Sequence, residues 1–257
     1  MKKVLVIILT ALMFCATVFI GVANVYRVSG VTLDVNTVSD VAKEEAKRMQ
    51  EELSEAYLGE STLLATDTLA RAVVEKYPYF RLTKFEKQNP DVLRVEVTED
   101  VESFAVETEH GYMILSQTGT VLDIRAESKN RADGEENIIV VGAHPVGEIG
   151  DTVSGAGFEA LLKMCGVMSE SLNGVRSNVE RIVFKNVEED GYISLQMREG
   201  VKINIVRPHV LTEAKAQAFT EAYLSLEDEQ RLTGFIHATE NGDGTDAFVK
   251  YEPNSLS

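Results

Sequence analysis

The sequence predicts an α+β protein with one transmembrane helix, then a compact strand-helix-helix-strand-strand unit, then a larger, mainly antiparallel β domain with inserted helices. Three observations predict it. Val4 to Val25 run without a charge. Two stretches of helical periodicity stand between strand-like segments before Thr98. Beyond that point, short alternating segments separated by turn residues dominate.

The amino terminus comes first. At about 1.5 Å per residue, the run from Val4 to Val25 makes roughly 33 Å of helix, enough for a bilayer core of about 30 Å. A cleaved signal peptide competes, since Lys2 and Lys3 fit a basic leader and Gly21-Val22-Ala23 offers small residues. The run is longer than the roughly 7–15 residues of a leader's apolar stretch, which favours an uncleaved anchor. Phe14 before Cys15 argues against a lipoprotein site. Lys2 and Lys3 place the short tail, residues 1–3, in the cytoplasm and the rest of the chain outside, at the cell membrane.

Composition narrows the classes. The chain carries 25 Lys and Arg against 41 Asp and Glu, a net charge of −16. That balance excludes nucleic acid as a partner, which needs clustered cations. Cys15 and Cys165 are the only cysteines, one in the span and one beyond it, so no disulfide joins them and the core must carry the fold.

Along the chain, Tyr26–Val31 is a strand candidate. Thr37 suits a helix N-cap, and Val38, Val41, Ala42, Ala46, Met49, Leu53 and Tyr57 recur at helical spacing up to Gly59. A second helix starts near Asp67, with Leu69, Val73 and Tyr77 on one face, and Pro78 ends it. Tyr79–Phe85 and Val92–Thr98 flank the turn Asn89-Pro90-Asp91. Further strands are expected at 104–107, 112–115, 120–124, 138–141, 179–185, 192–197, 201–205, 234–238 and 246–251. Helices are expected at 155–172 and from Thr212. Glu127–Glu136 reads as an exposed loop, and Asn241-Gly242 as a hairpin turn.

No chemistry stands out. His110, His144, His209 and His237 have no second ligand at metal spacing. Cys165 sits on an apolar helix face, as a core thiol does. Gly155-Ala156-Gly157 opens a helix but lacks the dinucleotide fingerprint, and Glu159 follows it. The Glu240–Asp246 stretch lacks calcium-loop spacing. The reading at this point is a non-enzymatic protein with no catalytic, cofactor-binding or metal-binding residue and no small-molecule substrate.

Several short motifs say more. Val28-Ser29-Gly30 after the apolar run resembles the first strand of a POTRA domain. Leu58-Gly59, Leu63-Leu64 and Asp67 resemble the link between its helices, and Tyr77-Pro78-Tyr79 the step into its second strand. Asn89-Pro90 with Leu93, Val95, Val97 and Glu99 is similar to the segment that closes it, and Tyr112–Leu122 to the hairpin that follows. In this order they resemble the DivIB/FtsQ family of cell-division proteins. Val31, Asp100-Val101-Glu102 and Ser116-Gln117 depart from that pattern.

The resemblance implies a divisome scaffold that binds two small bitopic proteins, of the FtsL and DivIC/FtsB types, at the division septum and helps regulate septal peptidoglycan synthesis. It implies a cytoplasmic tail at 1–3, a span at 4–25, a POTRA domain at 26–99, a β domain at 100–252 and a flexible tail at 253–257. Two other classes compete: a POTRA-bearing envelope assembly or export factor, and an anchored cell-envelope enzyme. The expected partner-binding segment is the last strand, Asp246–Tyr251, through Phe248, Val249, Lys250 and Tyr251. A last strand can lack a neighbour, an unpaired edge templates another chain, and aromatic side chains anchor interfaces. Glu240, Asp243, Asp246 and Glu252 around it suit an Arg- or Lys-rich partner.

Overall fold

The structure, a computed structural model, describes residues 2–37, 39–187 and 191–254, with side chains from Leu9 onward. It divides into two units, Met1–Glu99 and Asp100–Ser257. The first opens with helix α1 (Lys2–Val25). Among the described residues no helix is long and apolar enough to cross a membrane, which corrects the expected transmembrane helix.

The rest of the first unit is β1 (Gly30–Asn36), α2 (Asp40–Tyr57), α3 (Asp67–Val74), β2 (Phe80–Asn89) and β3 (Val92–Glu99). The strands form a sheet in the order β1-β3-β2, with β1 parallel and β2 antiparallel to β3. Alternation in β3 buries Leu93, Val95 and Val97. The 3.6-residue period of α2 brings Ala42, Ala46, Met49, Leu53 and Tyr57 onto its buried face. In α3 the buried residues are Ala70, Val73 and Val74, whereas Leu69 is turned outward, away from the face expected for it. Tyr57 explains the rotation: its hydroxyl donates to Thr66 O and accepts from Ala70 N at 2.9 Å, fixing the first turn of α3.

The cap of α2 is Ser39, not Thr37; Val38 lies outside the described residues. The Ser39 hydroxyl accepts from Ala42 N at 3.2 Å and donates to Glu99 Oε1 at 2.6 Å, and Ser39 N donates to Glu99 Oε2 at 3.0 Å. A carboxylate at the end of β3 thus selects the capping residue, a partner 60 positions away that local pattern cannot show. At the outer side of β1, Leu33 N donates to Gln50 Oε1 at 2.8 Å and Gln50 Nε2 donates to Val31 O. The Gln50 amide stands where a neighbouring strand's peptide group would be.

The second unit holds β4 (Glu102–Thr108), β5 (Gly111–Ser116), β6 (Val121–Arg125), β7 (Ile138–Val141), α4 (Phe158–Ser171), β8 (Val179–Lys185), β9 (Tyr192–Met197), β10 (Lys202–Val206), α5 (Thr212–Leu224), α6 (Asp228–Arg231), β11 (Phe235–Glu240) and β12 (Ala247–Glu252). Among the described residues its strands make one sheet in the order β12-β11-β10-β9-β8-β7-β4-β5-β6. The sheet is mixed, with antiparallel pairs in the majority and three parallel ones: β4 and β7, β7 and β8, and β10 and β11. Parallel neighbours need crossovers of a dozen residues or more, which α4 supplies between β7 and β8 and α5 between β10 and β11. The two helices pack side by side, and Leu161, Met164 and Phe219 join Phe104, Ile182 and Ile203 in one core.

The loop after β6 is not simply exposed. Asn130 is buried and donates to Glu102 O at 3.0 Å and Asn137 Oδ1 at 3.1 Å. Arg125 meets the buried Glu102 carboxylate with two guanidinium nitrogens, at 2.9 and 2.7 Å.

One substitution tests the register of the first unit. Val95 is fully buried, so Val95→Asp places an uncompensated carboxylate in the core and destabilises that unit by about 4 kcal/mol or more. Glu96→Gln, one residue along on the opposite face, changes stability by less than about 0.5 kcal/mol. Urea unfolding of the two variants side by side checks the pair; equal transitions would mean the pleat is assigned backwards.

Candidate partner-binding edge

β12 is the terminal strand of the large sheet. It pairs antiparallel with β11 from Phe235↔Glu252 to Glu240↔Ala247 without a register shift. Two hydrogen bonds set the phase of this pairing. Lys202 N donates to Gly234 O at 3.1 Å, so the even-numbered residues of β11 face β10. Asn241 N donates to Asp246 O at 2.9 Å, so odd-numbered β11 residues exchange bonds with even-numbered β12 residues. It follows that Phe248, Lys250 and Glu252 bond to β11. The N–H and C=O groups of Ala247, Val249 and Tyr251 point away from the sheet, along its free edge.

Side chains alternate on the same period. Ala247, Val249 and Tyr251 are half-buried, with Val249 and Tyr251 against the core, whereas Phe248, Lys250 and Glu252 are exposed. The four expected site residues therefore divide between two faces. Phe248, 51% exposed, and Lys250 project outward. Tyr251 is a packing residue, and its hydroxyl donates to Thr233 O at 3.1 Å. Gly234 makes room for it: φ is +102°, and a Cβ there would meet Tyr251 Oη and Glu252 O, each at 2.8 Å.

The outward face continues inward along the sheet. Cross-strand partners put Thr239 beside Phe248, His237 beside Lys250 and Phe235 beside Glu252. The Phe235 and His237 rings stack with centroids 6.0 Å apart. A shallow groove of about 250 Å³ extends over this face past Lys202, Asn204, Tyr192 and Lys185. An aromatic and cationic strip thus runs back from the free edge.

The surrounding carboxylates are not equivalent. Glu240 is buried, so it is not the surface anion expected from the sequence. Its Oε1 accepts from Lys215 Nζ at 2.6 Å and its Oε2 from Arg207 at 2.7 Å. Lys215, on α5, is also fully buried and donates to Val206 O at 2.7 Å and Arg207 O at 3.0 Å. Burial would raise the Glu240 pKa, but the Lys215 ammonium and the other donors prevail and hold it at about 2. Burial acts on Lys215 in the opposite sense, lowering its pKa against the pull of Glu240. The pair pins the last residue of β11, where the hairpin to β12 begins, to α5 and the end of β10. Sequence offers one sign of it, a lysine in a helix three and four residues from apolar positions, but not its partner 25 positions on.

The hairpin turn is longer than the Asn241-Gly242 signal suggests. The Asn241 side-chain oxygen accepts from Thr245 N at 2.9 Å and Asp246 N at 3.1 Å, and the left-handed residue is Gly244, with φ +75°. Asp243 is spent on the same turn, accepting from the Thr245 hydroxyl at 2.8 Å.

The other positions singled out from the sequence lie elsewhere. Cys165 is buried, and burial pushes its thiol up to about 12. His110, His144 and His209 are exposed and lie outside β11 and β12. Among the described residues no group of three or more His, Cys, Asp or Glu side chains is placed to hold a metal. At Gly157, the N-cap of α4, a Cβ would meet Val187 Cγ1 at 2.5 Å, so this glycine serves close packing. Compared with known proteins, the chain matches no family model and no curated protein.

The buried pair makes a pH prediction. A depressed carboxylate pKa stabilises the fold above its unfolded value, near 4.5, and that contribution is lost as pH falls towards about 2. Glu240→Gln is therefore less stable than the parent at neutral pH, by about 3 kcal/mol. The gap narrows as pH falls from about 4.5 to about 2. Urea midpoints of parent and variant across that range check it; a constant gap would mean that the carboxylate is not ionised in the fold.

Proposed function

We propose that the chain is a non-enzymatic scaffold of the DivIB/FtsQ kind, acting at the division septum, which takes an extended segment of a DivIC/FtsB-type partner onto β12 beside an FtsL-type protein. The observation that carries this reading is the unpaired, regular β12 edge with Phe248 exposed on it. An incoming strand would bond to the outward groups of Ala247, Val249 and Tyr251. It would supply backbone affinity, and its alternate side chains would meet Phe248 and the strip behind it. The order of motifs from Val28 to Leu122 supports the family, and the wide sheet with one flat edge suits a protein whose work is holding other chains.

The hydrogen-bond phase supplies a discriminating test. Val249→Pro removes an N–H that faces away from β11, so the hairpin keeps its pairing while strand addition loses a central bond. Lys250→Pro removes an N–H that β11 uses, and the hairpin itself is disrupted. Phe248→Ala leaves the fold intact and weakens partner binding by about 2 kcal/mol, roughly 30-fold. Titration of each folded variant with the extracytoplasmic part of the DivIC/FtsB-type protein checks these outcomes. Parent-like affinity in folded Val249→Pro would remove β12 from the interface.

A further inference from the structure

Three leucines sit outward in one short loop of the first unit. Leu58 is 70% exposed, Leu63 58% and Leu64 80%, in the segment that joins α2 to α3. Looseness does not account for this, because the loop is fastened along its length. Val28 N donates to Glu60 O at 2.8 Å and Gly59 N to Val28 O at 3.2 Å. Thr62 donates to Tyr26 O from its N at 2.7 Å and from its hydroxyl at 2.9 Å. Leu64 N and Ala65 N both return to Ser61 O, at 3.0 and 2.8 Å. Three large apolar side chains are thus held in water by a rigid frame.

The frame joins them to α1. Tyr26, Arg27 and Val28, which hold the loop, follow directly on the helix. The side chains of α1 described from Leu9 to Val25 are apolar nearly all round and exposed. A helix of that kind does not suit contact with water. Two cations border the loop: Arg27 Nε donates to Gly59 O at 3.2 Å and Lys87 Nζ to Leu63 O at 2.9 Å. Glu60 is its one acidic residue.

We propose that the Leu58–Leu64 loop is a lipid-contact surface, seated in the headgroup and upper acyl region of a bilayer with Arg27 and Lys87 at the level of the phosphates. Leucine and basic side chains together are the composition of interfacial contacts. The internal hydrogen bonds matter as much. Apolar surroundings penalise unpaired backbone groups, and here the amides of Leu58, Gly59, Glu60, Thr62 and Leu64 and the carbonyls of Gly59, Glu60, Ser61 and Leu63 bond within the fold, the Gly59 and Leu63 carbonyls to Arg27 and Lys87. The contact buries the leucines over a backbone whose polar groups are mostly bonded, and it anchors the first unit at its α1 end.

The chain has no tryptophan, so Leu64→Trp in the full chain is a single reporter on the loop. On mixing with vesicles of phosphatidylcholine and phosphatidylglycerol, its emission shifts to the blue and is quenched by lipids carrying bromine on the upper acyl chain. Arg27→Gln with Lys87→Gln keeps donors but removes two charges, and it lowers partitioning to these vesicles by roughly fivefold per charge. Emission that stays at the water value while the chain co-floats with vesicles would mean that α1 alone holds lipid, and would overturn the proposal. Failure to co-float would overturn it too. A blue shift that grows with protein concentration in the absence of lipid would assign the leucines to a second copy of the chain instead.

Discussion

A strand at the edge of a sheet must find partners for its outward N–H and C=O groups, and this requirement orders both units. At the outer side of β1 the Gln50 amide meets Val31 and Leu33. At the outer side of β6, Val121 N donates to Asp151 O and Gly150 N donates to Val121 O, each at 2.8 Å, so a loop stands in for a strand. β2 is interrupted by two register shifts and carries Lys84 and Lys87. Bulges and edge lysines are ordinary means of blunting an edge. Among the described residues β12 has neither a covering side chain nor a bulge, and its exposed aromatic makes it the edge best suited to receive another chain.

That edge depends on a pair of charges inside the fold. Taking an ammonium and a carboxylate out of water is costly unless geometry and further hydrogen bonds compensate. Around Lys215 they do: two backbone carbonyls and Glu240 use its three donors, and Arg207 takes the second Glu240 oxygen. Arg207 adopts φ +44° where its carbonyl turns toward Lys215. The result ties α5, β10 and β11 at one point, and β12 inherits its position from β11. A strand offered to a partner cannot be held by that partner beforehand, so rigidity must come from behind it.

The β12 edge and the Leu58–Leu64 loop use different physics. On β12, regular backbone groups await bonds and direction matters. On the Leu58–Leu64 loop most backbone groups are already bonded, and what is on offer is mainly non-directional apolar surface. Satisfied polar groups suit lipid, and unsatisfied ones suit a strand.

Much of the molecule was legible in the residues alone. Alternation in β3 and the helical period of α2 located their buried faces, because burial on one side imposes the period directly. The strands at Ile138–Val141, Val179–Lys185 and Tyr192–Met197 begin and end where pattern places them, for the same reason. The last strand was legible as a strand, and its free side was a fair inference from its place in the chain. Tertiary structure decided what depends on distant partners. It chose Ser39 over Thr37 through Glu99, turned Leu69 outward through Tyr57, and made the large sheet mixed through the crossovers of α4 and α5. It withdrew Glu240 from the surface by pairing it with Lys215, and it split Phe248 from Tyr251 by the pleat. Local sequence carries the period of a face, whereas the identity of what lies against that face is set by residues tens of positions away.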